Sequence, residues 1–297
     1  MFIPFTKPLD LPNTLESGQA FRWRRERPSD ATTSDHKQWF TGVIFNNIVR
    51  MCHVPYGIEF QCNPDDEAVL KPLIFDYLRL GDDLEEIYQS IAIDDWMTEA
   101  VSHYHGMRLL RQDPWECLVS FLCSLTSNIS RIKNNVEDLA KYFGKPIIFG
   151  DSIRHTFPTA VELAAVGEKQ LRELRIGFRA KYIDIVSNMV AESSLDLMSL
   201  RSESYTDCLE LLIKFPGIGD KVANCILLFS MDKLEAFPVD VWIDRVLREI
   251  YTDAIGVGKI SQKNQMRLWA QNYFGNYAGY ANQYLFHRRR LHKKTKA

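Results

Sequence analysis

The sequence lacks the features of several large protein classes. Its six cysteines, at positions 52, 62, 117, 123, 208 and 225, form no C-x-x-C pair, and several lie in apolar helical stretches. Such cysteines are typical of reduced thiols in a cytosolic protein, so we predict neither a disulfide framework nor a metal site. No run approaches the roughly 18 apolar residues of a membrane span, and no cleavable signal pattern opens the chain. We therefore expect an intracellular protein without a membrane partner.

Net charge is also nearly absent. The 297 residues carry 36 Lys and Arg against 38 Asp and Glu, a formal net charge of −2. The charges are unevenly placed, because ten acidic residues lie between Asp65 and Asp95, whereas segment 287–297 holds six Lys or Arg and no acid. A basic face for nucleic acid is therefore available, although a solvated tail accounts for the final run equally well.

The pattern of apolar residues changes along the chain. Alternating runs at 38–45, 48–54 and 58–61 predict strands, with Asn46-Asn47 as a two-residue hairpin turn. The polar segment Arg24–Lys37 between such runs is predicted to be a surface loop. From Pro64 onward the periodicity is helical nearly to the end.

The predicted fold class is α+β, with a small N-terminal antiparallel β domain packed on a mainly helical body. A composition that is 46% hydrophobic can bury a sizeable core and allows one large or about two modest domains. We place the boundary between 1–105, the β-rich region with its following helices, and 106–297, the helical region.

A tight hairpin between two helices is the most informative feature. An apolar helical run ends at Phe215, and segment 216–219, Pro-Gly-Ile-Gly, forces the turn because Pro fixes one φ and glycine permits angles closed to other residues. Asp220 is the expected cap of the second helix. Such a turn presents backbone N–H groups at a helix N-terminus, where a phosphate can approach closely. Gly217 and Gly219 are therefore predicted to bind the DNA backbone.

Two ionisable residues follow this hairpin. Lys221 lies in the first turn of the second helix, and Asp240, 19 positions later, follows Pro-Val and precedes an apolar helical run, so it is predicted to be an N-cap. Taken singly, such a lysine is usually solvated and such an aspartate usually only caps. Together they place an amine and a carboxylate on the same side of a DNA-binding turn, which favours catalysis.

The stretch resembles the helix-hairpin-helix DNA glycosylases, which carry a Gly/Pro-rich loop followed by an Asp. Lys221 is similar to the lysine of the bifunctional branch, which removes the base and cuts the strand. The resemblance implies that Lys221 attacks the sugar C1′ and that Asp240 supports oxocarbenium charge and lysine deprotonation. An amine can form a Schiff base with an aldehydic sugar, which makes the later β-elimination easy.

A second motif resembles one branch of these glycosylases in particular. Leu15–Trp23 contains Ser-Gly-Gln-Ala-Phe-Arg-Trp, which resembles a signature of the 8-oxoguanine DNA glycosylases. The resemblance implies that the Gly18 carbonyl accepts a hydrogen bond from the N7–H that oxidation gives guanine. Ordinary guanine has an acceptor at N7, so two acceptors would face each other and the undamaged base would be rejected. Without the resemblance, Gly18 is a turn glycine.

Further positions match the base pocket of that family. Cys225 and Phe286 match the thiol and the aromatic ring between which the base is sandwiched, although Cys225 alone would be a buried helix cysteine. Asn282 stands where a Gln usually contacts the Watson–Crick edge, so the contact is either shorter or made by Gln283. Some relatives hold an iron–sulfur cluster on four C-terminal cysteines, and because no cysteine follows Cys225 we predict no cluster.

The family also contacts the strand opposite the lesion. Asn128 and Arg131 match an Asn of the wedge that fills the gap and the Arg that reads the orphaned cytosine, but Thr126 stands where a wedge Asn is expected. Phe178 and Arg179 match an aromatic residue and an Arg that insert into the opposite strand.

Trp242 occupies the place of a phosphate-contacting His. We include it among the predicted DNA-binding residues, although it departs from the family pattern. Thr126 leaves the opposite-base preference open, and the three departures at Thr126, Trp242 and Asn282 together favour the alternative of another lesion, such as an alkylated purine.

The expected function is excision of 8-oxoguanine from duplex DNA, followed by cleavage of the abasic site. The alternatives are a glycosylase of the same fold for alkylated purines and a DNA-binding protein that uses the hairpin without catalysis. We expect no required cofactor, although hairpin carbonyls could hold a monovalent cation. The expected partner is double-stranded DNA that contains oxidised guanine, bound by a monomer.

Overall fold

The N-terminal region is an antiparallel sheet. The structure is a computed structural model that describes residues 1–26, 37–150, 152–193, 196–252 and 262–292. The sheet has five strands in the order β1-β5-β4-β3-β2. They are β1 Phe2–Pro4, β2 Arg24–Arg25, β3 Phe40–Ile44, β4 Asn47–Val54 and β5 Gly57–Asn63. In β5, Ile58 and Phe60 are buried while Glu59 and Gln61 face outward, which is the period-two pattern of a strand with one covered face.

The predicted hairpin turn at Asn46-Asn47 is wrong by one residue. Ile44 pairs with Asn47, so the two turn residues are Phe45 and Asn46, and Phe45 adopts a left-handed φ of 50°. Asn47 is held in the strand because its amide contacts Asp65 twice, donating to the carboxylate at 2.8 Å and accepting from the backbone N–H at 2.9 Å. A tertiary contact therefore sets the register. Of the predicted surface loop 24–37, residues 27–36 lie outside the described part.

Two short elements depart from the predicted pattern. Helix α1, Leu11–Glu16, interrupts the β-rich region, and the Asp10 side chain caps it by accepting from the Asn13 N–H at 3.0 Å. A two-stranded hairpin of β6, Pro146–Phe149, and β7, Ser152–His155, interrupts the helical region. Elements this short contain too few residues to show a clear period.

The remaining elements form a helical body, which confirms the α+β prediction. The helices are α2 Glu67–Tyr77, α3 Leu84–Ile91, α4 Asp95–His103, α5 Pro114–Cys123, α6 Ile129–Phe143, α7 Ala160–Glu173, α8 Arg179–Ser193, α9 Tyr205–Leu212, α10 Asp220–Ser230, α11 Val241–Ile250, α12 Lys263–Phe274 and α13 Ala278–His292. Among the described residues, no helix is both long and apolar enough to cross a membrane.

The described residues form one small hydrophobic cluster, of Val43, Ile48 and Ile147, and two large hydrophobic cores. One joins the inner face of the sheet to α1 and α2, and the other fills the helical body, where α5 packs against α10. The cores are not divided at one point in the sequence, because Leu110 belongs to the first and Phe21 to the second. The division into 1–105 and 106–297 therefore stays a prediction. The segment between α1 and β2, with Gly18 and Phe21, and the C-terminal helix α13 both line a cavity at the C-terminal end of α5.

Candidate active site

Helices α9 and α10 are joined by the predicted hairpin. Gly217 has a φ of +84°, and a Cβ built there would lie 2.7 Å from the Cγ of Tyr182, so both the turn and the packing on α8 require glycine. The expectation that Asp220 caps α10 is wrong, because Gly219 is the N-cap and makes no side-chain cap. Asp220 instead accepts from Arg267 Nε at 3.0 Å. The hairpin is thus tied to α12.

Lys221 lies in the first turn of α10 and is half-buried. Its Nζ donates to Ser124 Oγ at 3.1 Å and stands 5.3 Å from the ring centroid of Phe121. Both partners belong to α5 or to its C-terminal end. The contact between α5 and α10 therefore directs the amine toward the cavity at the end of α5.

Asp240 is the N-cap of α11, as predicted. Its Oδ1 accepts from the backbone N–H groups of Trp242 and Ile243, both at 2.8 Å. Two asparagines hold the loop that leads to it: Asn282 Nδ2 donates to the Pro238 carbonyl at 3.0 Å, and Asn224 Oδ1 accepts from the Phe237 N–H at 3.3 Å. The carboxylate is thus fixed from α10, α11 and α13.

The two ionisable residues line one cavity of about 660 Å³. This volume lies in the range of small-molecule sites and can accept a single extruded base. Of the other predicted site residues, the cavity lining contains Gly18, Asn128, Cys225, Trp242, Asn282 and Phe286. The structure therefore gathers residues from distant parts of the chain around Lys221 and Asp240.

The cavity walls are largely apolar. Gly18 has a φ of +88°, and a Cβ built on it would lie 3.6 Å from Phe286 Cε1, so the backbone of Gly18 and the ring of Phe286 form adjoining surfaces. Burial raises the pKa of the Cys225 thiol to about 11, with Lys221 opposing the shift. Near neutral pH this thiol is uncharged, so it provides an apolar contact in the cavity wall.

The two amide side chains of α13 differ in their contacts. Asn282 is buried and donates to the Pro238 carbonyl, whereas Gln283 donates to the Ser17 carbonyl at 3.4 Å. Both line the cavity. Asn282 therefore holds the Asp240 loop with its NH₂ group, and Gln283 lies beside the Gly18 turn.

The turn between α5 and α6 carries the predicted wedge. Asn128 caps α6 through its Oδ1, which accepts from the Arg131 N–H at 2.9 Å. Thr126 is exposed and has a φ of 47°, which is rare for a β-branched residue. Arg131 is exposed, with Nη2 3.3 Å from the Arg175 carbonyl. Thr126 and Arg131 are both accessible to a DNA strand.

The predicted insertion of Arg179 into DNA is not supported by its position. Arg179 is 2% exposed, and its guanidinium donates to the carbonyls of Leu125, Thr126 and Ile176. It therefore braces the wedge turn from inside the protein. Phe178, the neighbouring residue, is 47% exposed and can enter a groove.

Trp242 lies at the cavity, with the guanidinium carbon of Arg245 5.9 Å from its ring centroid. It stands in the first turn of α11, next to the Asp240 cap. The ring is therefore near any phosphate that approaches this helix N-terminus.

A partly buried hydrogen-bond chain joins α1 to α13. Arg290 Nη2 lies 3.3 Å from His287 Nδ1, and His287 Nε2 lies 2.8 Å from Asn13 Oδ1. A guanidinium can only donate, so Nδ1 accepts and the imidazole proton is on Nε2, which donates to Asn13. Burial, assisted by the charge of Arg290, lowers the pKa of His287 to about 4.

The lowered pKa of His287 predicts that the folded protein loses stability in acid. Because the pKa of His287 is lower in the folded state, the unfolded chain binds its proton first as the pH falls from about 6.5 to 4. Stability should therefore decrease over this window, by on the order of 3 kcal/mol. Thermal melts between pH 7 and pH 4.5 should show a smaller decrease for His287→Gln than for wild type. The exposed residue His103 is the control, and an equal slope in His287→Gln would contradict the assignment.

Several site residues were missed by sequence reasoning. Ser124 and Phe121 contact the Lys221 amine, Asn224 holds the Asp240 loop, and Lys263 lines the cavity. Asn224 did carry a signal, since it is a polar residue in the otherwise apolar run of α10. Across the described residues, no group of three or more His, Cys, Asp or Glu is arranged to hold a metal ion.

Comparison with known families agrees with this geometry. Residues 2–118 match the family described as 8-oxoguanine DNA glycosylase, N-terminal domain. Residues 119–269 match the HhH-GPD superfamily of base excision DNA repair proteins. The two matches together span most of the chain.

Individual relatives are similar over nearly the whole length. The N-glycosylase/DNA lyase OGG1 of Arabidopsis thaliana is 31% identical, over 94% of this chain and 76% of its own. The N-glycosylase/DNA lyase of Saccharomyces cerevisiae is 30% identical, over 94% of this chain and 82% of its own.

A solved structure gives the same result. The 8-oxoguanine glycosylase/lyase of Clostridium acetobutylicum, in complex with double-stranded DNA containing cytosine opposite 8-oxoG, superposes with a TM-score of 0.86 and 29% identity, over 99% of this chain and 98% of that one. By these matches and the cavity that Lys221, Asp240 and Gly18 share, this chain belongs to the 8-oxoguanine DNA glycosylase family of the HhH-GPD superfamily.

Proposed function

We propose that this protein excises 8-oxoguanine from duplex DNA and then cleaves the abasic site by β-elimination, in base excision repair. The observation that carries the proposal is the single cavity lined by Lys221, Asp240 and Gly18. An amine, a carboxylate and a backbone carbonyl are the three groups that this reaction needs. In this proposal no cofactor takes part in the chemical steps. We also propose that carbonyls of the hairpin bind a monovalent cation.

Lys221 and Asp240 perform the chemistry in this proposal. The neutral amine of Lys221 forms a bond to C1′ as the C1′–N9 bond breaks and the base leaves with the electron pair. The Asp240 carboxylate stabilises the positive charge that develops on the sugar and takes the proton that the amine loses. Ring opening gives a Schiff base, and removal of a C2′ proton then expels the 3′ phosphate. The hydrogen bond to Ser124 aims the amine at the cavity.

The base is recognised by the cavity wall. The Gly18 carbonyl accepts from the N7–H of 8-oxoguanine, while Phe286 and Cys225 contact the flat faces of the purine. The NH₂ groups of Asn282 and Gln283 already donate to the carbonyls of Pro238 and Ser17, so in this proposal the amide oxygen of one of these two side chains accepts from the Watson–Crick edge. The normal base lacks the N7–H and would leave the Gly18 carbonyl opposite another acceptor.

The duplex is held around this cavity. Thr126 and Asn128 enter the space left by the extruded base, Arg131 contacts the unpaired partner base, and Phe178 inserts into the strand opposite the lesion. Gly217, Gly219 and Trp242 bind phosphates at helix N-termini. We propose that the protein acts intracellularly as a monomer with its two regions, 1–105 and 106–297, on the same duplex.

The proposal is tested by borohydride trapping on duplexes with 8-oxoguanine opposite each of the four bases. A covalent protein–DNA adduct, formed best opposite cytosine, is expected because the Schiff base is reducible and Arg131 faces the partner base. The same duplexes with guanine in place of the lesion are the control and should give no adduct. Absence of an adduct on all lesion duplexes would contradict the proposal and favour an alkylpurine substrate or binding alone.

The wedge residue gives a separate prediction. Thr126→Asn should raise the melting temperature, because Asn tolerates the left-handed φ of 47° better than a β-branched residue does. The expected gain is about 1 kcal/mol. The added amide should also increase the preference for cytosine opposite the lesion, which single-turnover excision opposite each base measures.

Thr126→Val is the matched control for this change. Valine keeps the β-branched shape and the strained φ but adds no amide. It should raise neither the melting temperature nor the preference for cytosine. Equal behaviour of the Asn and Val variants would show that Thr126 does not set the opposite-base preference.

A further inference from the structure

Arg290 is a charged residue in the cavity wall that the proposed mechanism does not use. It lies on α13, one turn after Phe286, and lines the same cavity as Lys221 and Asp240. Its Nη1 atom lies 2.9 Å from the position that a Cβ on Gly18 would occupy, and its guanidinium carbon is 6.0 Å from the Phe286 ring centroid. The cation therefore lies near both of the surfaces that are expected to receive the base.

Part of its hydrogen-bonding capacity is unused. Nη2 donates to the Glu16 carbonyl at 2.6 Å and lies 3.3 Å from His287 Nδ1. Its buried Nε has no hydrogen-bond partner, and within the described ranges the N–H groups of Nη1 have none either. Burial also lowers the pKa of the guanidinium, although an arginine side chain keeps its charge in proteins. A charged donor is thus held at the cavity wall with free N–H groups.

The chemistry of the expected base suits such a donor. In 8-oxoguanine, two carbonyl oxygens, O6 and O8, flank the N7–H that the Gly18 carbonyl accepts. A donor close to Gly18 is therefore within reach of one of these oxygens when the base is bound. Both oxygens gain negative charge when the base leaves with the electron pair of the C1′–N9 bond, so a contact with a guanidinium strengthens as the bond breaks.

We propose that Arg290 is a base-recognition residue whose Nη1 donates to a carbonyl oxygen of oxidised guanine next to N7–H. The inference rests on the proposed function of this cavity and adds a specificity determinant to it. The hydrogen bond from Nη2 to Glu16 orients the guanidinium, because it fixes one edge of the fork and leaves the other edge toward Gly18. Arg290 thus joins the Gly18 carbonyl in reading the oxidised edge of the purine.

A purely structural role makes a different prediction. The bond to Glu16 lies at the C-terminal end of α1, where an Arg commonly satisfies helix carbonyls. If Arg290 only joins α1 to α13, its loss disturbs the whole cavity and impairs every step that occurs there. If it contacts the base, its loss impairs only steps in which a base is present.

The test compares two substrates in single-turnover reactions. Arg290→Leu should release 8-oxoguanine opposite cytosine about 10- to 100-fold more slowly than wild type, as expected for a lost charge-assisted hydrogen bond. It should cleave a preformed abasic site at the wild-type rate, because that substrate has no base. Arg290→Lys should recover part of base release. Arg290→Gln, which keeps a donor for the Glu16 carbonyl, serves the same comparison if the Leu variant is unfolded.

Arg289→Leu is the matched control. Arg289 is the adjacent residue of α13, pairs with Glu249 at 2.6 Å and is absent from the cavity lining, so its variant should match wild type on both substrates. Equal losses on the two substrates in the Arg290 variants, or no loss on either, would overturn the proposal. Failure of wild type itself to release 8-oxoguanine would instead overturn the proposed function and this assignment with it.

Discussion

Lys221→Gln is expected to abolish base release and strand cleavage together, each by on the order of 10³-fold or more. Glutamine is close to lysine in length and can still contact Ser124, but its amide cannot form a bond to C1′. The variant should therefore give no borohydride adduct on 8-oxoguanine duplexes. Its melting temperature and its affinity for the lesion duplex should remain near those of wild type, because the side chain is only half-buried.

Lys263→Gln is the matched control for this change. Lys263 lines the same cavity but is exposed at the start of α12, so it tests whether any positive charge in the cavity is sufficient. This variant should retain the adduct and strand cleavage. An adduct of undiminished yield in Lys221→Gln would show that another amine is the nucleophile, and its loss in Lys263→Gln would identify that amine.

The parts of this site that sequence could predict depend on local signals. The hairpin of 216–219 and the cap at Asp240 follow from residue types within a few positions of each other, and the structure has them where the pattern indicated. The pairing of Lys221 with Asp240 was predicted from their spacing around the hairpin, whereas their chemical roles came from the family resemblance. That they share one cavity depends on the tertiary structure, because α5 packs against α10 and Asn282 donates to the Pro238 carbonyl.

The predictions that were wrong concern residues whose positions depend on contacts with distant parts of the chain. From the sequence, Arg179 resembles a surface arginine. In the structure it is buried, because it donates to the carbonyls of Leu125 and Thr126, more than fifty positions earlier. Asp220 has the residue type of a cap, but Arg267 engages its carboxylate. Asn47 was predicted in the turn but lies in the strand, where its side chain donates to Asp65. In each case a long-range hydrogen bond outweighs a local preference of about 1 kcal/mol.

Asp240→Asn is expected to separate the two roles of this carboxylate. Asn caps helices about as well as Asp, so the bonds to the Trp242 and Ile243 N–H groups should persist and stability should change by less than about 0.5 kcal/mol. The amide cannot take a proton or stabilise the positive sugar. Single-turnover base release should therefore fall by about 10² to 10⁴-fold, with the protein fully folded.

Asp240→Ala supplies the comparison that makes this result decisive. Alanine removes the cap as well as the carboxylate and should cost about 1 kcal/mol of stability, seen as a lower melting temperature. Base release should be as slow in Asp240→Ala as in Asp240→Asn, because both lack the charge. If activity instead followed stability, with Asn near wild type and only Ala impaired, the carboxylate would act through the cap alone. The proton would then have to leave the Lys221 amine by another route, and the hydroxyl of Ser124, 3.1 Å from that amine, would be the group to replace next.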